Sequence, residues 1–209
     1  MARESRQARM ETLRAYDLSI VTRGGDIILA GMDEAGRGPL AGPVYAAAVI
    51  LPRGLVIAGL NDSKKLTEKK REALFDPICE AAICYAVARA EVEEIETLNI
   101  LNATFLAMNR AIGQLSPAPS LALIDGNRST GIRYPSRTVI KGDGRCADIA
   151  AASVLAKVSR DRYMLEMAER YPQYGFEAHK GYGTAAHYAA LREFGPSPIH
   201  RLSFLKKMH

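Results

Sequence analysis

Residues 27–44 read IILAGMDEAGRGPLAGPV. An apolar run with the composition of a buried strand ends in adjacent carboxylates, Asp33 and Glu34, and then in a series of glycines and prolines. Neighbours on a strand point to opposite faces, so the two acids can serve one site only where the strand frays or turns. Gly36, Gly38 and Gly42, with Pro39 and Pro43, supply such a turn and let another molecule approach the backbone. A strand end with solvated charges would explain the pair as well, and the other acids of the chain must decide.

Outward from this stretch, DIILAGMD (26–33) and VYAAAVIL (44–51) are β-prone runs joined by the Gly/Pro turn, which predicts neighbouring strands. Asp62 and Ser63 can cap a helix, and Thr67 opens a helical pattern whose apolar members include Leu74, Phe75 and Ile78. ICYAVARAEV (83–92) reads as a third strand. Ile95, Leu98, Leu101, Phe105, Met108 and Ile112 recur at intervals of three and four, which predicts one helix over 93–115 with a single buried face. LALIDG (121–126) is a short apolar strand ending in Asp125, and RTVIKGDG (137–144) is another ending near Asp143. A long helix is predicted from Ala147 to about Tyr171, its Ala-rich start allowing close packing on a sheet. A last helix runs from its cap Thr184 to Phe194 and stops at Gly195-Pro196. The sum is an α/β domain with a mixed central sheet flanked by helices and a helical C-terminal region. Residues 4–17 suit a short charged helix, so residues 1–24 are expected to be an extension and 25–209 a single domain.

The chain has 209 residues, 48% of them hydrophobic, and a net charge of +5. A moderate basic excess suits a polyanion, though soluble proteins without such a partner share it. Cys79, Cys84 and Cys146 show no metal-ligand spacing and read as reduced thiols of a cytosolic protein. No run approaches the roughly 18 apolar residues of a membrane span. The charged N-terminus lacks a secretory apolar core, and Glu4 and Glu11 argue against a transit peptide, so a cytoplasmic location is expected.

Asp33, Glu34, Asp125 and Asp143 each lie at or just beyond a strand end beside glycines, and loops leaving one edge of a sheet converge on one crevice. Converging carboxylates repel unless cations occupy the site. A donor set of oxygens selects hard ions such as Mg²⁺ or Mn²⁺. In a basic protein such a site suggests phosphoryl chemistry, in which two ions roughly 3.5–4 Å apart activate water and stabilise the leaving oxygen. Asp33 is the natural bridging ligand, with Glu34 and Asp125 completing the two spheres. A nuclease and a metal-dependent phosphatase both remain open at this point.

Ser63, Lys64 and Lys65 could donate to phosphates at a helix start, or simply be a capped and solvated helix end with Glu68, Lys69 and Lys70. His179 and Lys180 could lie near phosphate or be structural. Lys157, Arg160 and Asp161, spaced at three and four on the long helix, suit an internal ion-pair network or substrate contact.

The motifs GMDEAGRGPLAGPV, NDSKKL, LIDGN, KGDG followed by IAAASVLAKVSRDR, and YPQYGFEAHKGYGT followed by GPSPIHRLSF occur in that order. Together they resemble bacterial ribonuclease HII, the type 2 ribonuclease H family, over about residues 31–204. The resemblance implies a ribonuclease H-like fold and an endonuclease that cuts the RNA strand of RNA–DNA hybrids with Mg²⁺ or Mn²⁺, leaving 5′-phosphate and 3′-hydroxyl ends. It also implies incision 5′ to single ribonucleotides in duplex DNA, the start of ribonucleotide excision repair, by a protein expected to be monomeric. Asp33, Glu34, Asp125 and Asp143 carry over as the acidic residues. Gly36, Arg37 and Gly38 carry over as the element that reads the ribose, whose 2′-hydroxyl distinguishes RNA from DNA. Tyr182, set between glycines in KGYGT, carries over as the contact to the nucleotide after the ribose.

Overall fold

The computed structural model describes residues 19, 27–60 and 66–206. Among them five strands form one sheet in the order β3-β2-β1-β4-β5: β1 (Leu29–Ala35), β2 (Val44–Ile50), β3 (Cys84–Ala90), β4 (Leu121–Asp125) and β5 (Ser136–Val139). β2 pairs antiparallel with both β1 and β3, while β1–β4 and β4–β5 are parallel. The turn through 36–43 allows the antiparallel return, whereas the parallel β1–β4 pair needs a long crossover, supplied by everything from β2 to residue 120. β1 and β4 therefore run side by side and release their following loops at the same edge of the sheet.

A helix layer covers each face. α1 (Glu68–Ala81) starts at Thr67, whose hydroxyl accepts from the Lys70 amide at 3.3 Å, and buries Leu74 and Ile78. The region from 93 to 115 is two helices rather than the one predicted: α2 (Val92–Leu98) and α3 (Ile100–Ile112), broken at Asn99. Asn99 has φ +67°, and its side-chain oxygen accepts from the amides of Leu101 and Asn102. A positive φ costs a residue with a side chain about 1–3 kcal/mol, and the two cap bonds offset that cost. The break turns Leu98 outward, although the continuous pattern had assigned it to the buried face. Phe105, Met108 and Ile112 of α3 do pack against Ala30, Met32 and Ile124 of the sheet.

The opposite face carries α4 (Ala147–Arg170), with Leu74 and Ile78 of α1 packed beside it. Its alanines let it lie almost on the strands. A Cβ added at Gly31 of β1 would stand 2.1 Å from the Asp148 carbonyl carbon, so only glycine permits this crossing. Asp148 is itself buried, and its Oδ1 accepts from the Leu51 amide at 2.8 Å, tying the helix start to the end of β2.

Beyond α4 come α5 (Phe176–His179), α6 (Ala185–Phe194) and α7 (Leu202–Leu205). Thr184 caps α6 by accepting from the His187 amide at 3.2 Å. Tyr174, Phe176 and Leu191 pack on Met164 and Ala168 of α4, enclosing His187 and His200. Burial pushes both imidazoles down from their ordinary pKa, His200 to about 4. A histidine favoured neutral in the fold stabilises it fully above its unfolded pKa, near 6.5, and loses that contribution as pH falls towards 4. The shift at His200 corresponds to about 3 kcal/mol. Urea midpoints measured from pH 7 to pH 4 should therefore fall further in the native protein than in His200→Gln. Parallel curves would refute the assignment.

Candidate active site

Asp33, Asp125 and Asp143 each present a carboxylate oxygen to one point, and these oxygens all lie within 4.8 Å of one another. Two come from the parallel pair: the register that sets Met32 beside Ile124 brings Asp33 next to Asp125 on the same face. The third arrives differently from the expectation. β5 stops at Val139, and the chain passes through Lys141 at φ +55° into a 3₁₀ turn, Gly142–Gly144, that carries Asp143 back to the others. The Gly142 amide donates to Asp125 Oδ1 at 2.7 Å, and a Cβ at Gly142 would press on Ile149 at 2.6 Å. Glycine thus fixes both the turn and the orientation of Asp125.

Asp33 and Asp143 are each only 5% exposed. Like charges at such separations repel by about 3 kcal/mol per pair at an effective dielectric near 20. A divalent cation answers that repulsion, and three carboxylates without nitrogen or sulfur suit Mg²⁺ or Mn²⁺. The cluster therefore fits a hard metal ion.

Glu34 is placed apart. β1 stays paired through Ala35, opposite Tyr45, so the strand does not fray at the acidic pair and Asp33 and Glu34 point to opposite faces. At the strand end Glu34 borders two clefts. One, of 390 Å³, is walled by Arg37, Phe105, Met108, Asp125, Asn127 and Arg128. The other, of 210 Å³, is walled by Asp33, Gly36, Arg37, Gly38, Lys157 and Tyr182. Arg37 Nη1 donates to Glu34 Oε1 at 3.2 Å across the ridge between them.

The glycine turn is held from beneath by two buried guanidiniums. Arg201, fully buried, makes five hydrogen bonds of 2.6–3.1 Å to the carbonyls of Gly36, Arg37, Pro39 and Gly42. Burial, with Arg160 nearby, brings its pKa down to about 9, which leaves it charged at neutral pH. Arg160 donates to the carbonyls of Ala41, Pro43 and Lys180. Gly36 has φ +96°, and a Cβ there would fall 2.1 Å from Arg160 Nε. The Gly181 carbonyl accepts from Leu40 at 2.8 Å, which joins this turn to the Tyr182 loop. The Tyr182 ring is 44% exposed in the smaller cleft, facing Gly38.

Of the α4 residues singled out from sequence, Lys157 pairs with Asp161, which also lies 3.9 Å from Arg71. Lys157 also lines the cleft beside Asp33. Burial lowers its pKa while Asp161 raises it. Lys180 turns its amine to the Glu177 carbonyl and to Glu68. Ser63 and Lys64 lie outside the described residues. The supporting roles of Arg160 and Arg201 escaped the sequence reading; an arginine inside IHRLSF carries no spacing signal that marks a buried donor.

The family model described as Ribonuclease HII matches residues 30–207. The chain belongs to the ribonuclease HII family. A ribonuclease HII of Dechloromonas aromatica (strain RCB) is 59% identical over 177 residues, covering 85% of this chain and 90% of that one. Among solved structures, the ribonuclease H2 from Pyrococcus horikoshii OT3 aligns with a TM-score of 0.69 at 26% identity, over 86% of this chain and 96% of its own. Bst-RNase HIII, solved in complex with Mn²⁺, shares the fold at a TM-score of 0.64 and 20% identity, over 84% of this chain and 65% of its own. As a member of the ribonuclease HII family the protein is a metal-dependent endoribonuclease, a hydrolase of the ribonuclease H type acting on RNA–DNA hybrids. No helix among the described residues is long and apolar enough to cross a membrane.

Proposed function

We propose that this ribonuclease HII family member, besides cutting the RNA strand of hybrids, incises duplex DNA on the 5′ side of a single embedded ribonucleotide, leaving 5′-phosphate and 3′-hydroxyl ends. One observation carries the reading: the smaller cleft is walled at once by Asp33, by Gly36, Arg37 and Gly38, and by Tyr182. Asp33, Asp125 and Asp143 would hold Mg²⁺ or Mn²⁺, with Glu34 joining from the ridge. Two such ions, when bound, lower the pKa of a coordinated water and stabilise charge on the leaving oxygen.

The chain itself supplies recognition. In a trans peptide the C=O and N–H point in opposite directions. With the Gly36 and Arg37 carbonyls drawn inward by Arg201, the amides of Arg37 and Gly38 are turned the other way, where a ribose 2′-hydroxyl can accept from them. Tyr182 offers its exposed ring to the sugar of the next nucleotide, and Lys157 offers a cation to the phosphate. We also propose that residues 25–209 act as one catalytic unit with 1–24 as an appendage, working as a monomer in the cytoplasm.

The test is a labelled duplex with one ribonucleotide, incubated with Mg²⁺ or Mn²⁺ and the ends mapped. A single cut 5′ to the ribonucleotide is expected, with all-DNA duplex left intact. Equal cutting of all-DNA duplex, or a cut on the 3′ side, would overturn the reading.

A further inference from the structure

The loop that carries Tyr182 rests on three histidines that the chemistry above does not use. His200 Nδ1 accepts from the Ser197 amide at 2.8 Å, with Ser197 Oγ at 2.7 Å from the same atom. Since that nitrogen accepts, His200 carries its proton on Nε2, which lies 2.9 Å from His187 Nε2. His187 must therefore accept at Nε2 and carry its own proton on Nδ1, 2.9 Å from the Tyr182 carbonyl. Each step fixes the next. His179 stacks on His187 with ring centroids 4.4 Å apart, and its Nδ1 accepts from the Gly181 amide at 3.2 Å. Two consecutive residues of the loop are thus held by imidazoles.

We infer that Ser197, His200 and His187 form a directional hydrogen-bond relay of neutral imidazoles that fixes the main chain at Tyr182. His187 and His200 are then positioning residues for reading the nucleotide 3′ to the ribose. The inference rests on the proposed role of Tyr182.

The surroundings favour the neutral form. His179 and Tyr174 are the titratable groups packed against the pair, His179 stacked on His187 and the Tyr174 ring tilted with its centroid 4.8 Å from that of His200, and Phe176 packs on both imidazoles. The charged side chains next to them are directed elsewhere: Lys180 to Glu177 and Glu68, Arg201 to the 36–42 turn. Met164 and Ala168 of α4 add only apolar surface. Burial lowers the pKa of both histidines, in line with this arrangement. A proton added at His187 Nε2 would leave two donors facing each other across 2.9 Å, and one added at His200 Nδ1 would face the donating Ser197 amide at 2.8 Å, so either disrupts the relay.

Nitrogen-15 NMR of the imidazoles in the full chain reads the relay without any substrate. His200 should appear as the Nε2–H tautomer and His187 as the Nδ1–H tautomer, both still neutral at pH 5.5. The opposite tautomers, or a cationic pair at that pH, overturn the inference. Steady-state kinetics then compare a duplex carrying one ribonucleotide with a uniform hybrid. His200→Phe should raise KM on the former by about tenfold, the worth of a lost positioning hydrogen bond, with kcat retained and the uniform hybrid little affected. His200→Gln keeps an amide donor for His187 and should restore KM. Tyr182→Ala is the control: if it leaves KM unchanged, the proposed role of Tyr182 fails whatever the histidines do. If it raises KM while His200→Phe, with native near-UV circular dichroism, does not, the relay inference alone fails.

Discussion

Asp125→Asn should lower cleavage by about a thousandfold or more, the several kcal/mol of charge stabilisation that a metal site supplies. In the same variant the melting temperature in chelator should rise. Asn keeps an Oδ1 that accepts from the Gly142 amide, so the 3₁₀ turn bearing Asp143 stays in place. What disappears is one of three negative charges whose oxygens lie within 4.8 Å. Removing it relieves two of the three repulsions, each about 3 kcal/mol at an effective dielectric near 20. The native protein should gain thermal stability when Mg²⁺ or Mn²⁺ is added, and the variant should gain little. Near-native activity, or an undiminished metal-dependent rise in melting temperature, would show that Asp125 does not hold the ion.

Arg201→Met should destabilise the fold by about 3–5 kcal/mol, because it leaves four carbonyls of the glycine turn without their donor in a dry interior. Methionine fills much of the volume, so the loss is chiefly one of hydrogen bonding rather than packing. Lysine should rescue little, since one ammonium cannot span carbonyls arranged around a planar fork. Urea midpoints measure the effect, and a change below about 1 kcal/mol would contradict it. Cleavage of the single-ribonucleotide duplex by the folded fraction should also drop, since the Arg37 and Gly38 amides are aimed only while the carbonyls are held.

Much of this architecture was legible in the sequence because it obeys local rules. Apolar runs of five to eight residues gave strands, and Thr67 and Thr184 stand where capping residues belong. The α4 alanines announced a close helix–sheet contact. The misreadings arose where tertiary structure overrides a local pattern. Asn99 interrupts an unbroken helical period by adopting a positive φ that no periodicity reveals. Asp143 was placed on a strand end, whereas a turn after β5 delivers it. Fraying was the expected route by which the acidic pair could share a site, yet β1 keeps its register through Ala35, and the two carboxylates border one cleft from a paired strand end. Arg160 and Arg201 were illegible for another reason: their partners are main-chain carbonyls distant in sequence, which leave no complementary residue type to find.

That distance has a consequence for how the enzyme comes into being. Arg201 grips Gly36 across 165 positions. Translation at about 5–20 residues per second separates the two by on the order of ten seconds or more. During that interval the turn proposed to read the ribose lacks the side chain that shapes it. On the proposed reading, substrate discrimination would be among the last properties the nascent chain acquires, and a polypeptide stopped before residue 201 would carry its acids without the arginine that holds the 36–42 carbonyls.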